Sequence, residues 1–168
     1  MEGSMEETEK KWERQHREQT EFLASIGQKY PPCGFSIGDG WKEPVFEALR
    51  KVAAIAKEAG LEWELAQVKQ KFCQLRIYID VETPGVTREN HNSETNPWLF
   101  EENHPLHAKY DEIHAAIGVA ESACNVRCES CGGDTKGGAA SGWKGCTACK
   151  AAEKREYEKK YPGEKWED

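Results

Sequence analysis

Two short turns near the end of the chain constrain its fold more than any other feature. Cys128-Glu-Ser-Cys131 is followed, after fourteen intervening residues, by Cys146-Thr-Ala-Cys149, and those residues form a Gly-rich span. A Cys-x-x-Cys turn brings two thiolates to one side of the backbone. Two such turns complete a tetrahedral four-sulfur shell of the kind that holds Zn²⁺. Gly132 and Gly133 follow the first pair, where a knuckle needs a tight backbone. A redox dithiol or a pair of disulfides are the competing readings, and a reducing compartment favours metal over both. Four thiolates leave no open coordination position. The spacing therefore predicts one structural Zn²⁺ on Cys128, Cys131, Cys146 and Cys149, a clip and not a zinc enzyme. Cys124, four residues upstream, is the alternative ligand.

With 168 residues the chain has room for one domain, or one domain and a small appendage. Six Trp, five Tyr and five Phe argue for a folded body, because disordered chains are poor in aromatics. The net charge of −7 is uneven: residues 1–123 carry 14 Lys and Arg against 22 Asp and Glu, residues 124–168 carry 9 against 8. Neither part has the basic excess that drives general DNA binding. No apolar run is long enough to span a bilayer, and the acidic start Met-Glu-Gly-Ser-Met-Glu-Glu is unlike a signal peptide. The expectation is a cytoplasmic protein with no membrane partner.

Hydrophobic periodicity divides the chain into three parts. Residues 1–28 read as a charged helix with a narrow apolar stripe of Trp12, Phe22, Leu23 and Ile26, opened by a capping box at Ser4 and Glu7. Residues 29–123 read as an α+β core. In it, a helix runs from Pro44 to Gly60, and Leu61, Trp63 and Leu65 alternate as a strand. Cys73, Leu75, Ile77, Ile79 and Val81 alternate as a second strand, with the turn between them near Val68–Phe72. Residues 83–104 show no period and read as an irregular loop, and Pro105 to about Cys124 returns to helix. Residues 124–168 then hold the zinc ribbon and a charged helix from Lys150 to Tyr161. The predicted fold class is α+β: a small antiparallel sheet with packed helices, followed by a four-cysteine zinc ribbon or knuckle.

Other groupings carry less chemistry. His107, Asp111 and His114 fall at i, i+4 and i+7, with His104 nearby, so one helix face could offer two imidazoles and a carboxylate to a metal. The plainer reading is a solvated polar face. Cysteine knuckles accompany some His-Asn-His nucleases, but residues 132–145 hold no His, and His91, Asn92 and His104 lie well upstream. Gly38-Asp39-Gly40 lacks the Lys-Ser/Thr of a phosphate loop, and Trp41 beside it reads as an anchor. Cys33 and Cys73 read as small buried residues. Arg127, Lys136, Lys144 and Lys150 gather around the clip together with Lys154 and Arg155. Trp143 there is either a lid over the metal or a stacking contact for a ligand.

The stretches Ser36–Trp41 (SIGDGW), Gln67–Ile79 (QVKQKFCQLRIYI), His114–Gly132 (HAAIGVAESACNVRCESCG) and Gly142–Cys146 (GWKGC) follow one another in a recurring order. In this the chain resembles a group of small zinc-ribbon proteins encoded by phages and prophages. These carry a Gly-x-Gly-Trp element, a Gln-Val-Lys-x-Lys-Phe-Gly-x-Leu-Arg strand and a helix running into Cys-x-x-Cys-Gly. Cys73 stands where the group has Gly, and Cys149 where it often has another metal-binding residue. The resemblance implies a bacterial host cytoplasm and accessory phage biology, but brings no established activity.

Three functional classes follow. The first is a non-catalytic zinc-binding accessory protein that binds a host protein, such as a defence component, and inhibits or redirects it. The second is a binder of single-stranded nucleic acid or a nucleotide through Arg127, Lys136, Trp143, Lys144 and Lys150. The third is a metal-dependent enzyme using His107, Asp111 and His114. A closed thiolate shell and the lack of a catalytic constellation favour the first.

Overall fold

The computed structural model describes residues 3–86, 94, 101, 103–135 and 145–166, with side chains from Lys10 onward. Helix α1 (Gly3–Ser25) buries Phe22 and Leu23 while Trp12 stays 63% exposed. The side chains of Ser4 and Glu7, the predicted capping box, fall outside the described set. Phe22 lies flat on Phe46, ring centroids 3.8 Å apart, which fixes the end of α1 on the body.

Strand β1 (Phe35–Ser36) and a single 3-10 turn (Asp39–Trp41) lead into helix α2 (Lys42–Ala59). Val45, Phe46, Leu49, Val52 and Ala56 recur at helical spacing and form its buried stripe. Gly60 ends the helix at φ 65°, donating its N–H to the carbonyls of Ala56 and Lys57.

Strands β2 (Glu62–Lys71) and β3 (Gln74–Glu82) then form an antiparallel hairpin. The predicted turn near Val68–Phe72 is displaced: β2 continues to Lys71, and the chain reverses at Phe72 and Cys73. A bulge between Leu65 and Gln67 is the cause. Across it the core-facing residues Leu65 and Val68 are three apart, so the period of two breaks and the strand hides its second half. Phe72 and Cys73 both have positive φ, 51° and 60°, as a two-residue turn matched to the sheet's twist requires.

The sheet order is β1-β2-β3, and β1 runs parallel to β2 through Phe35–Val68 and Ser36–Lys69. The α+β class holds, but the sheet is mixed and not purely antiparallel, because the loop before α2 supplies a short parallel strand.

Helix α3 (Pro105–Asn125) packs against α2 and across β3. It buries Ile113, Ala116, Ile117, Ala120 and Cys124, which complete one cluster with Leu65, Val68, Leu75 and Ile77. Helix α4 (Thr147–Lys160) begins within the second Cys-x-x-Cys and buries nothing. Cys33 and Cys73 are not core residues: Cys33 is exposed in the turn before β1, and Cys73 is half-buried in the hairpin turn. Among the described residues no helix is long and apolar enough to cross a membrane.

Candidate metal centre

Helix α3 leads directly into the first knuckle. An isolated antiparallel bridge, Arg127 with Asp134, closes the base of the loop, and Thr135 N–H donates to the Val126 carbonyl at 3.0 Å. Inside it, Cys128 N–H donates to the Gly133 carbonyl at 2.7 Å, and Gly132 N–H to the Cys128 carbonyl at 2.8 Å. The second pair is built differently. Cys146 is the N-cap of α4 and Cys149 lies in its first turn, so helix geometry sets their spacing.

The Sγ atoms of Cys128, Cys131, Cys146 and Cys149 all lie within 4.8 Å of one another. Cys131 Sγ and Cys146 Sγ are 3.6 Å apart. Thiolates about 2.3 Å from a tetrahedral zinc would stand roughly 3.8 Å from each other, so the cluster has the dimensions for one metal ion. Cys128 is fully buried and Cys131 exposed. Burial pushes the Cys128 thiol up, but backbone N–H groups of Cys131, Cys146 and Ser130 outweigh it and bring the thiol down to about 6. Cys149, hydrogen-bonded by Cys131 and Cys146, is pushed up to about 12. Four thiols this close cannot all ionise without a cation.

The loop Gly38–Trp41, which sequence reasoning set aside as no phosphate loop, is the platform on which the knuckle rests. Gly40 N–H donates to the Glu129 carbonyl at 2.7 Å, and Gly38 N–H to the Glu129 carboxylate at 3.1 Å. The buried Trp41 indole donates to the Arg127 carbonyl at 2.9 Å. The contact is so close that a Cβ on Gly40 would stand 2.1 Å from the Cys128 carbonyl oxygen and 2.3 Å from the Gly132 nitrogen. Only glycine fits there. Between these glycines, Asp39 accepts from Arg14 at 2.8 Å and Gln15 at 3.0 Å, tying α1 to the same loop. Burial raises the Asp39 carboxyl, yet those two hydrogen bonds hold it below its usual range. Two glycines flanking an Asp before a Trp mark a tight loop in the sequence, but not the distant segment that it receives.

The other candidates divide plainly. Cys124 is a core thiol outside the cluster, pushed up to about 12 by burial, so it is not the alternative ligand. His107 is half-buried between the rings of His104 and Tyr110, whereas Asp111 and His114 are exposed. The four cysteines are the only group of metal-ligating residues found together among the described residues. Arg127 lines a groove of about 430 Å³ between α2 and α3, and Lys150 sits in the first turn of α4 with its N–H on the Cys146 carbonyl. Lys136, Trp143, Lys144, His91 and Asn92 lie outside the described residues.

Comparison of the chain with protein-family models, curated proteins and solved structures returns no match.

Proposed function

We propose that the chain is a non-catalytic zinc protein of the phage accessory type, which attaches to a host protein and blocks or redirects it. The carrying observation is how the thiolate cluster is used. Four sulfurs within 4.8 Å of one another form a closed shell, and the knuckle that bears two of them is seated backbone to backbone on Gly38–Trp41. Such a shell offers substrate no open position, so the Zn²⁺ serves as a joint between α3, α4 and the 3-10 turn. Trp12, exposed on the charged α1 and stacked on His16 at 5.4 Å, is the kind of large amphipathic side chain that anchors protein interfaces. The resemblance supplies the setting, a bacterial host cytoplasm.

The test passes bacterial lysate over the immobilised, zinc-loaded protein, with and without nuclease, beside a Trp12→Ala variant. The expected result is one stoichiometric host protein that survives nuclease and whose binding weakens by about 2 kcal/mol or more in the variant. Retention of nucleic acid without protein would overturn the reading and move function to the basic residues around the clip, Arg127 and Lys150 among them.

A further inference from the structure

Strand β3 forms one edge of the sheet. It pairs with β2 on one side, and among the described residues no strand or backbone hydrogen bond meets the other. The outer face of the hairpin has an unusual arrangement of charge. Register places Lys69 opposite Arg76, Glu64 opposite Asp80 and Glu62 opposite Glu82. Directly opposed like charges destabilise an antiparallel pair. Among the described residues none of these six, nor Lys71, makes an ion pair that would relieve the repulsion.

One end of the face is thus basic and the other acidic. Tyr78, the middle residue of β3, stands between them at 43% exposure. Charges of a single sign along an edge repel a second copy in every register, which is how edges are commonly protected. Here the sign changes at the midpoint, and a two-fold axis through Tyr78 lays each end on its opposite.

We propose that β3 is a homodimerisation edge, pairing antiparallel with the same strand of a second copy about Tyr78. The register that follows sets Arg76 against the partner's Asp80, Gln74 against the partner's Glu82, and Tyr78 against the partner's Tyr78. Behind Arg76, Lys69 falls in line with the partner's Glu64, so the Lys69–Arg76 pair meets a repelling pair of opposite sign, while Glu82 faces the partner's uncharged Gln74 with the partner's Lys71 behind it. On the inner face Ile77 meets the partner's Ile79, and Leu75 meets the partner's Val81. Phe72, 82% exposed at the hairpin turn, comes level with the partner's Pro84. The product is one continuous six-stranded sheet. An edge this short gives a dimer of about micromolar affinity, not a permanent one.

Sedimentation of the zinc-loaded full chain over a concentration series, at low and at moderate salt, tests the proposal. A reversible dimer weakened by salt is expected. Arg76→Asp and Asp80→Arg should each weaken it at least about tenfold, and the double variant should restore it. Each single reversal also turns a like-charge pair inside the hairpin into an opposite-charge pair. The thermal midpoint at high dilution should therefore hold or rise while dimerisation falls, an outcome that misfolding cannot imitate. A chain that stays monomeric at about 100 μM in low salt overturns the proposal. So does a dimer indifferent to both reversals, or one that the double variant fails to restore.

Discussion

Between Phe22 and Cys124 the described chain packs its apolar side chains into one continuous cluster, with Leu23, Trp41, Leu49, Leu65, Leu75 and Ile113 almost wholly sealed from solvent. Beyond Cys124 the one buried apolar residue among those described is Cys128, and α4 contributes none. The two regions meet across three hydrogen bonds between Gly38–Trp41 and Arg127–Glu129, one of them backbone to backbone and the others through the Glu129 carboxylate and the Trp41 indole. Where the first region has area removed from water, the second has four sulfurs. Side chains such as Ala148 and Ala152 are too small and too exposed to hold a helix down. A metal ion concentrates in one point the stabilisation that a core spreads over many residues, and small segments depend on that device.

Removing the metal breaks this comparison most directly. A structural zinc contributes on the order of 10 kcal/mol to the segment it organises. Chelation, or Cys128→Ser, should abolish amide protection across 126–135 and 145–160 while α2 and the β2–β3 hairpin keep theirs. Hydrogen exchange read by mass spectrometry makes the measurement. Equal loss of protection in α2 would mean that the two regions are one cooperative unit. Cys124→Ala belongs to the other side of the divide: it should retain one metal per chain and cost about 1–2 kcal/mol from the core.

The contact between the regions is the next place to press. Gly40→Ala puts a methyl carbon 2.1 Å from the Cys128 carbonyl, and both partners are backbone, so neither can swing away. The expected cost is about 3 kcal/mol. It should appear as a lower thermal midpoint together with faster release of zinc to a chromogenic chelator. An unchanged midpoint or unchanged zinc release would show that the knuckle does not need the platform. Trp41→Phe removes the indole N–H to Arg127 and leaves a small cavity in a fully buried site, so a smaller loss of about 2 kcal/mol is expected.

Sequence patterning revealed the two regions unequally. The four-cysteine cluster was legible because two Cys-x-x-Cys spacings admit few other geometries, and the α2 and α3 stripes were legible because apolar residues recurred every three to four positions. The bulge at Leu65–Gln67 hid the second half of β2, since one extra residue reverses the alternation on which strand reading depends. β1 was too short to show any period. The role of Gly38 and Gly40 could not be read either, because what they accommodate lies far along the chain, at Cys128–Gly132. Cys33 and Cys73 show the opposite error, in which an apolar residue type suggested burial at positions that the turns leave open.

The hairpin turn offers the finest test, since it can separate the two regions without disturbing either. Cys73 takes φ 60°, in the left-handed region, where an L side chain crowds its own carbonyl. Glycine, with no Cβ, occupies this position without strain. Glycine also gives up more conformational entropy on folding, which offsets part of the relief. Cys73→Gly should therefore raise stability by a net of about 0.5–1 kcal/mol, seen as a higher thermal midpoint of the core. Zinc affinity and protection across 126–160 should stay as they were, because among the described residues no hydrogen bond joins Phe72 or Cys73 to the platform at Gly38–Trp41. A fall in stability would mean that the Cys73 side chain packs more usefully than its backbone is strained. A change in zinc release would mean that stability passes between the regions by a route other than the Gly40 contact.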